Sequence, residues 1–460
     1  MAENVPQNLS MARNLKIALF HVGSGMADIM ATGVWNRVMI SDLGFSATPI
    51  SLLASLRYFL APLGVWAGRV SDERTVGGYR RLFWIWLGRA MMVISLFMLG
   101  WATATLAQGA EATLGMWAAM TAALLLFSLG NALSGSTFLA LIYDVTPAPQ
   151  RGRAVGIVWT FLLIGFTLGG ILFGVLLPAG EEGDGLSFEP DRVLMLFVVA
   201  GVVLAALWFF SLLGEERRGT VISKAAEGEH TVSLRRDLRA VWHDPRLRFF
   251  MGYLGLSMLF AFAQDTILEP FAGDVFEMDV RTTTRFSAYW GSMSILGSFL
   301  FLWLSRKVKR LTNTNMSYIG VVVLIAGFVV FSLSALALVR PLVTVGLIVL
   351  GIGLGLWNNG TLGLMMDMSP AGRAGTFLGF WSLVVTFGRG LGVSSGGIIR
   401  DIGLQLTGDM QLAYGAVFVL EVVGLLVALW MLRRVRVDEF KAGQDIEQPE
   451  AAAVLAGAMD

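Results

Sequence analysis

The chain of 460 residues contains no cysteine, which excludes disulfides, thiolate metal sites and thiol chemistry. Charge is also scarce. Asp, Glu, Lys and Arg make up 15% of the residues, against about 25% in a soluble domain. There are three histidines, and no paired His/Glu metal motif, nucleotide-binding loop or Ser/His/Asp set is present. Nothing in the pattern suggests catalysis, so the chain is read as non-enzymatic. A net charge of +1, with no basic stripe interleaved with aromatics, gives no footprint for nucleic acid. The first fifteen residues are polar and lack an apolar core with a cleavage site. No removable signal peptide is expected, and the first span must itself direct insertion.

Apolar length is abundant. Hydrophobic residues make up 55% of the chain, in blocks of twenty or more, the length that crosses ~30 Å of hydrocarbon as helix. Reading between charged and Gly/Pro breaks predicts twelve transmembrane helices in an all-α membrane protein. They fall near 15–40, 49–68, 82–106, 113–143, 153–177 and 192–214, then 248–271, 285–305, 316–339, 341–366, 374–398 and 412–432. With the N-terminus inside, 25 of the 34 Lys and Arg lie in cytoplasmic segments, five outside and four within spans. This asymmetry places both termini in the cytoplasm. The acidic stretch Glu181-Glu182-Gly183-Asp184, continuing to Glu189 and Asp191, is then external.

The expected organisation is a cytoplasmic N-terminus (1–14), a six-helix half (15–214), a connector (215–247), a second six-helix half (248–432) and a disordered tail (433–460). Within the connector, Leu234, Leu238, Val241 and Trp242 share one helical face opposite Arg235, Arg236 and Arg239. Ser233 can cap this helix and Asp244-Pro245 end it. A helix lying on the inner leaflet and a solvated linker helix fit equally.

Two stretches 223 residues apart resemble one another. Gly130, Leu141-Ile142-Tyr143-Asp144-Val145-Thr146-Pro147, Arg151 and Gly156 match Gly353, Leu364-Met365-Met366-Asp367-Met368-Ser369-Pro370, Arg373 and Gly379 in order. Each sits where an even-numbered helix turns back, and Arg151 and Arg373 are placed to pair with Asp144 and Asp367 across the turn. The halves therefore read as parallel repeats about an axis normal to the membrane. Between spans two and three stand Gly64, Gly68, Asp72 and Gly77-Gly78-Tyr79-Arg80-Arg81, which resemble the signature loop of the major facilitator superfamily. Loop 8–9 keeps only the basic part, from Arg306 to Arg310.

Ionisable groups at mid-membrane cost at least ~2.5–3.5 kcal/mol each, so each needs a partner or a purpose. His21, Gly25, Asp28, Thr32 and Trp35 form one polar stripe on span one. Asp265 and Glu269 stand four apart on span seven and are expected to share a face, at a depth where Arg37 and Arg57 can meet them. These charges either fix helix packing or line a polar site or gate, with Asn36 beside them. Arg389 and Glu421 are expected to pair, and Arg89 has no evident partner. His21 is either a packing residue or an axial ligand for a metal-centred ring. Asn358 and Asn359, in a polar break of span ten aligned with Ser134-Gly135-Ser136-Thr137, are further candidate ligands.

Three stretches resemble the PucC/LhaA branch of the major facilitator superfamily: Trp35-Asn36-Arg37-Val38-Met39-Ile40, Arg69-Val70-Ser71-Asp72 with the glycine-arginine loop, and Asp265-Thr266-Ile267-Leu268-Glu269-Pro270-Phe271-Ala272-Gly273. The resemblance covers about 15–435 and marks Asn36, Arg37, Asp265, Glu269 and Pro270 as family-defining. It implies an assembly factor that brings bacteriochlorophyll, as transient cargo, to light-harvesting antenna polypeptides, with pigment-synthesis enzymes as further partners. Some relatives carry the name of a bacteriochlorophyll synthase subunit, yet no prenyl-diphosphate-binding Asp cluster occurs. Ala272 and the charged Arg89 depart from the family pattern. By fold alone the alternative is a proton-coupled transporter of a small or lipid-like solute, using Asp28 or Asp265/Glu269.

Overall fold

The computed structural model describes residues 9–177, 189–216, 244–308, 311–369 and 374–440. Twelve helices among them are long and apolar enough to cross a membrane. They are α1 (Met11–Asp42), α2 (Ala47–Glu73), α3 (Leu82–Ala107), α4 (Leu114–Val145), α5 (Arg153–Leu176), α6 (Pro190–Phe210), α7 (Pro245–Thr266), α8 (Val280–Lys307), α9 (Asn313–Ala337), α10 (Pro341–Asp367), α11 (Gly379–Thr407) and α12 (Met410–Phe440). Each predicted span overlaps one of them. The loop from Glu181, the connector helix around Leu234, Arg373 and the tail past 440 lie outside the described residues.

The helix ends follow local chemistry. Thr113, Thr312 and Asp409 accept backbone N–H groups at the starts of α4, α9 and α12, satisfying donors that a helix leaves orphaned. Pro62 interrupts α2 just after Leu60, because proline lacks the N–H a continuous helix needs. Two spans are irregular without a proline. In α1 the hydrogen bonding relaxes to π-helical turns at Met30–Val34 and Val38–Asp42. The α-helical part of α7 ends at Ala261, followed by a 3₁₀ turn at Ala263–Thr266 and a short helix, Leu268–Phe276.

Helix neighbours repeat with a shift of six. In the first half α1 packs on α5 and α6, α2 on α4, and α3 on α4 and α6. In the second, α7 packs on α11 and α12, α8 on α10, and α9 on α10 and α12. The halves meet along two seams, α2 with α11 and α5 with α8, which the same six-helix shift interchanges. Small residues permit the closest approaches, as in other membrane bundles. Gly88 of α3 and Gly130 of α4 face each other so closely that a Cβ on either would strike the other's carbonyl.

The two ends of the bundle differ. At the end away from the termini the halves are bonded together. Asp401 of α11 accepts the backbone N–H groups of Ala47 (3.1 Å) and Thr48 (2.7 Å), capping the start of α2. Ser55 and Ser394 join at 2.8 Å, as do Ser51 and Thr266. At the terminal end, each ion pair among the described residues stays within one half. There Gly156 and Gly379, 223 residues apart, both face open space, as does Gly135.

Candidate functional site

The candidate site forms where α1, α2, α7 and α11 converge. Asp28 of α1 pairs with Arg57 of α2 at 2.5 Å. Asp265, in the 3₁₀ turn ending α7, pairs with Arg389 of α11 at 3.0 Å. Tyr58 links the pairs: its hydroxyl accepts from Arg57 Nη2 at 2.8 Å, and its ring lies 5.2 Å from the Arg389 guanidinium. That guanidinium also stacks 4.0 Å from Phe262. The side chains of Asp28 and Arg389 remain 31% and 30% exposed, whereas Arg57 is 6% exposed. The cluster is thus two buffered ion pairs with one accessible partner each. It can bind a polar or charged group by exchanging partners, whereas a fully buried pair of this kind would only fix packing.

Three expectations are corrected here. Arg389 does not pair with Glu421. Instead Glu421 of α12, fully buried, accepts the backbone N–H of Gln264 at 2.8 Å. The break in α7 frees that N–H, and a buried unpaired donor would be costly. Nor do Asp265 and Glu269 share a helical face. The chain between them passes from 3₁₀ turn to a new helix, so the four-residue rule for a continuous helix fails. Finally, Asp265, Glu269, Arg37 and Arg57 do not form one cluster. Arg37 binds Asp42 at 2.8 Å and donates to the Met278 carbonyl at 2.9 Å, while Arg57 turns to Asp28.

Asn36 donates from Nδ2 to the Thr266 carbonyl at 2.7 Å, tying α1 to the broken end of α7. Glu269 is 4% exposed beside this contact, with Oε2 unpartnered. His21 lies half-buried below the charged cluster, 5.0 Å from the Phe138 ring and 5.7 Å from Trp159, and its Nδ1 is buried without a partner. In α10, Asn359 donates to Ser298 Oγ and to the Gly355 carbonyl, while Asn358 is exposed.

At the terminal end, Arg80 binds Asp72 at 2.8 Å, and Arg81 bonds both Asp72 and Asp144, the latter at 3.0 Å. Gly68 contributes its carbonyl to Ser71. The expected Asp144–Arg151 pair does not form. Arg151 lies over the Tyr143 ring and bonds that residue's carbonyl, because Arg81 already occupies Asp144. Asp367 accepts from Asn313 at 3.0 Å.

Sequence reasoning missed several participants. Glu216, just past α6, accepts the backbone N–H groups of Arg80, Arg81 and Leu82 and so caps α3. Arg400 falls just past the predicted span 374–398, yet it is buried in α11, which continues to Thr407. It pairs with Asp274 and Asp401, each at 2.9 Å. Asp274 stands 126 positions from Arg400 and Glu216 stands 136 from Arg80, too far for spacing to reveal them. Tyr58 carried a usable signal, since it adjoins Arg57 at the depth of Asp28.

The chain resembles known proteins over nearly its whole length. Solved structures of similar fold include a bacterial homologue of the human lysosomal transporter Spinster, in an inward-facing and unoccupied conformation. Its TM-score is 0.68 at 16% identity, covering 93% of this chain and 98% of that one. The nucleoside transporter NupG gives 0.65 at 17% identity, covering 92% and 99%. These likenesses establish a major facilitator superfamily fold and say nothing of substrate. Protein PucC of Rhodovulum sulfidophilum is 30% identical over 411 residues, 87% of each chain. Protein PucC of Cereibacter sphaeroides is 29% identical over 448 residues, 91% of each. A Rhodobacter capsulatus protein named bacteriochlorophyll synthase 44.5 kDa chain is 27% identical, covering 90% of this chain and 93% of that one. The family model described as PUCC protein matches residues 34–440, and the chain is a multi-pass membrane protein that belongs to this PucC family.

Proposed function

We propose that this protein is a non-enzymatic membrane assembly factor that binds bacteriochlorophyll and delivers it to light-harvesting antenna polypeptides. The observation that carries this reading is the family match across 34–440, with a relative named for bacteriochlorophyll synthase. The residues around His21 suit such a cargo. A tetrapyrrole is a flat apolar ring whose magnesium takes an axial ligand. An imidazole among Phe20, Phe138 and Trp159 offers that ligand with aromatic walls, and half of Trp159 is exposed to whatever approaches. The exposed Asn358 is the second candidate.

The test is the absorption spectrum of protein purified in detergent from a cell that makes bacteriochlorophyll. Pigment in stoichiometric amount, lost or shifted in His21→Ala, supports delivery through that residue. A colourless protein from a pigmented membrane rejects pigment binding. The partly exposed Asp28–Arg57 and Asp265–Arg389 pairs favour a second reading, a proton-coupled transporter. That reading requires Asp28→Asn to abolish uptake driven by a pH gradient.

A further inference from the structure

At the bonded end of the bundle both irregular spans lose regular hydrogen bonding at the same level. The π-helical turn Met30–Val34 of α1 contacts the 3₁₀ turn Ala263–Thr266 of α7 and the start of α8. Gly33 sits in that π turn and is buried. A Cβ built on it would lie 3.6 Å from Glu269 Oε1, 3.7 Å from Ser287 Oγ and 3.5 Å from Ile29 Cγ2. The missing methyl therefore leaves a small space walled by two side-chain oxygens. One turn further along α1, Asn36 is fully buried. Its Nδ2 is held by Thr266, so its orphaned atom is the carbonyl oxygen Oδ1. Glu269 Oε2 is the other buried oxygen without a partner here.

Nothing among the described residues neutralises Glu269. Arg37, the cation within electrostatic reach, is already committed to Asp42 and the Met278 carbonyl. Asp265 is the other charge in reach, and it is taken by Arg389. A carboxylate buried in this state is expensive and takes up either a proton or a cation. π-bulges frequently mark functional sites, and interrupted membrane helices are where transporters place coordinating oxygens for small cations.

We propose that Glu269, Asn36 and Ser287 around Gly33 form a binding site for a monovalent metal cation, Na⁺. One carboxylate balances one positive charge. No group of three or more His, Asp or Glu that could hold a metal occurs among the described residues, which sets this site apart from those of divalent ions. The bound ion joins α1 of the first half to the second half through Glu269 and Ser287, and so strengthens the bonded end.

The experiment uses full-length protein in detergent, without pigment or antenna. Thermal unfolding is followed in NaCl and in choline chloride at equal ionic strength. A ligand that binds only the folded state raises its stability by mass action. Wild type is expected to unfold about 2 °C or more higher in NaCl, saturably. Gly33→Ala places its methyl at ordinary contact distances, so it folds and fills the space, and its Na⁺ shift should vanish. Glu269→Gln should lose the shift as well. No Na⁺-specific shift in wild type, or a shift retained in either variant, overturns the site. Should Glu269→Gln fail to fold, Gly33→Ala decides alone. Because the readout contains no pigment, its failure leaves the pigment reading standing.

Discussion

Arg37, Arg57, Arg89, Arg389 and Arg400 meet their need for a partner in different ways. Arg57, Arg389, Arg37 and Arg400 reach carboxylates. Arg89, 2% exposed, lies instead between the rings of Phe20 at 4.4 Å and Trp208 at 4.7 Å, with the Met92 sulfur 3.2 Å from Nη1. Desolvated cation–π contacts contribute about 2 kcal/mol, and only a planar guanidinium stacks on both faces while weakly hydrated. Arg89→Lys and Arg89→Met should therefore both unfold at a lower temperature than wild type in detergent. Melting temperatures equal to wild type would mean that the stacking contributes nothing. In the charged cluster, Asp265→Asn deprives Arg389 of its counter-charge but leaves Phe262 beneath it. Under the pigment reading this change lowers antenna assembly at unchanged protein abundance, measured as antenna absorbance per immunoblotted protein. A parallel fall in abundance would make Asp265 a packing group. The residue types at these positions were legible from the sequence; their pairing was not. By spacing Asp144 had Arg151 within reach, yet helix packing gave it to Arg81, 63 positions away.

Among the elements, α7 shows how a break arises without a local breaker. Pro270 is visible in the sequence, yet the α-helix already ends at Ala261. The residue that supports the break is Glu421, 157 positions away, which accepts the freed Gln264 N–H. Glu421→Gln keeps an acceptor oxygen and should be tolerated. Glu421→Leu leaves a buried N–H without a partner and should cost about 1–3 kcal/mol, read as a lower melting temperature. Equal losses in both variants would show that the charge, not the acceptor, matters. The helix starts at Thr113, Thr312 and Asp409 contrast with this case, because a cap bonds N–H groups only two or three residues on. Those boundaries were within the reach of pattern reading for that reason.

For the whole molecule, the bonded end and the parted end define one arrangement of two halves. With no native cysteine, introduced pairs report on it without background. Ser55→Cys with Ser394→Cys replaces hydroxyls 2.8 Å apart, close enough for a disulfide with little backbone movement. Rapid oxidation is expected, seen as a gel shift after cleavage in the connector. Asp401→Ala, which removes the cap on α2, should slow it several-fold. Unchanged oxidation would mean that the cap does not hold the halves together. Twelve apolar runs, their punctuation and the 223-residue repeat were readable directly, because hydrophobic length, turn chemistry and helical period act between chain neighbours. Partners such as Asp401 with Thr48 or Glu421 with Gln264 were decided only by tertiary structure. A buried polar group bonds whatever packing brings within 3 Å, and separation along the chain carries no information about that distance.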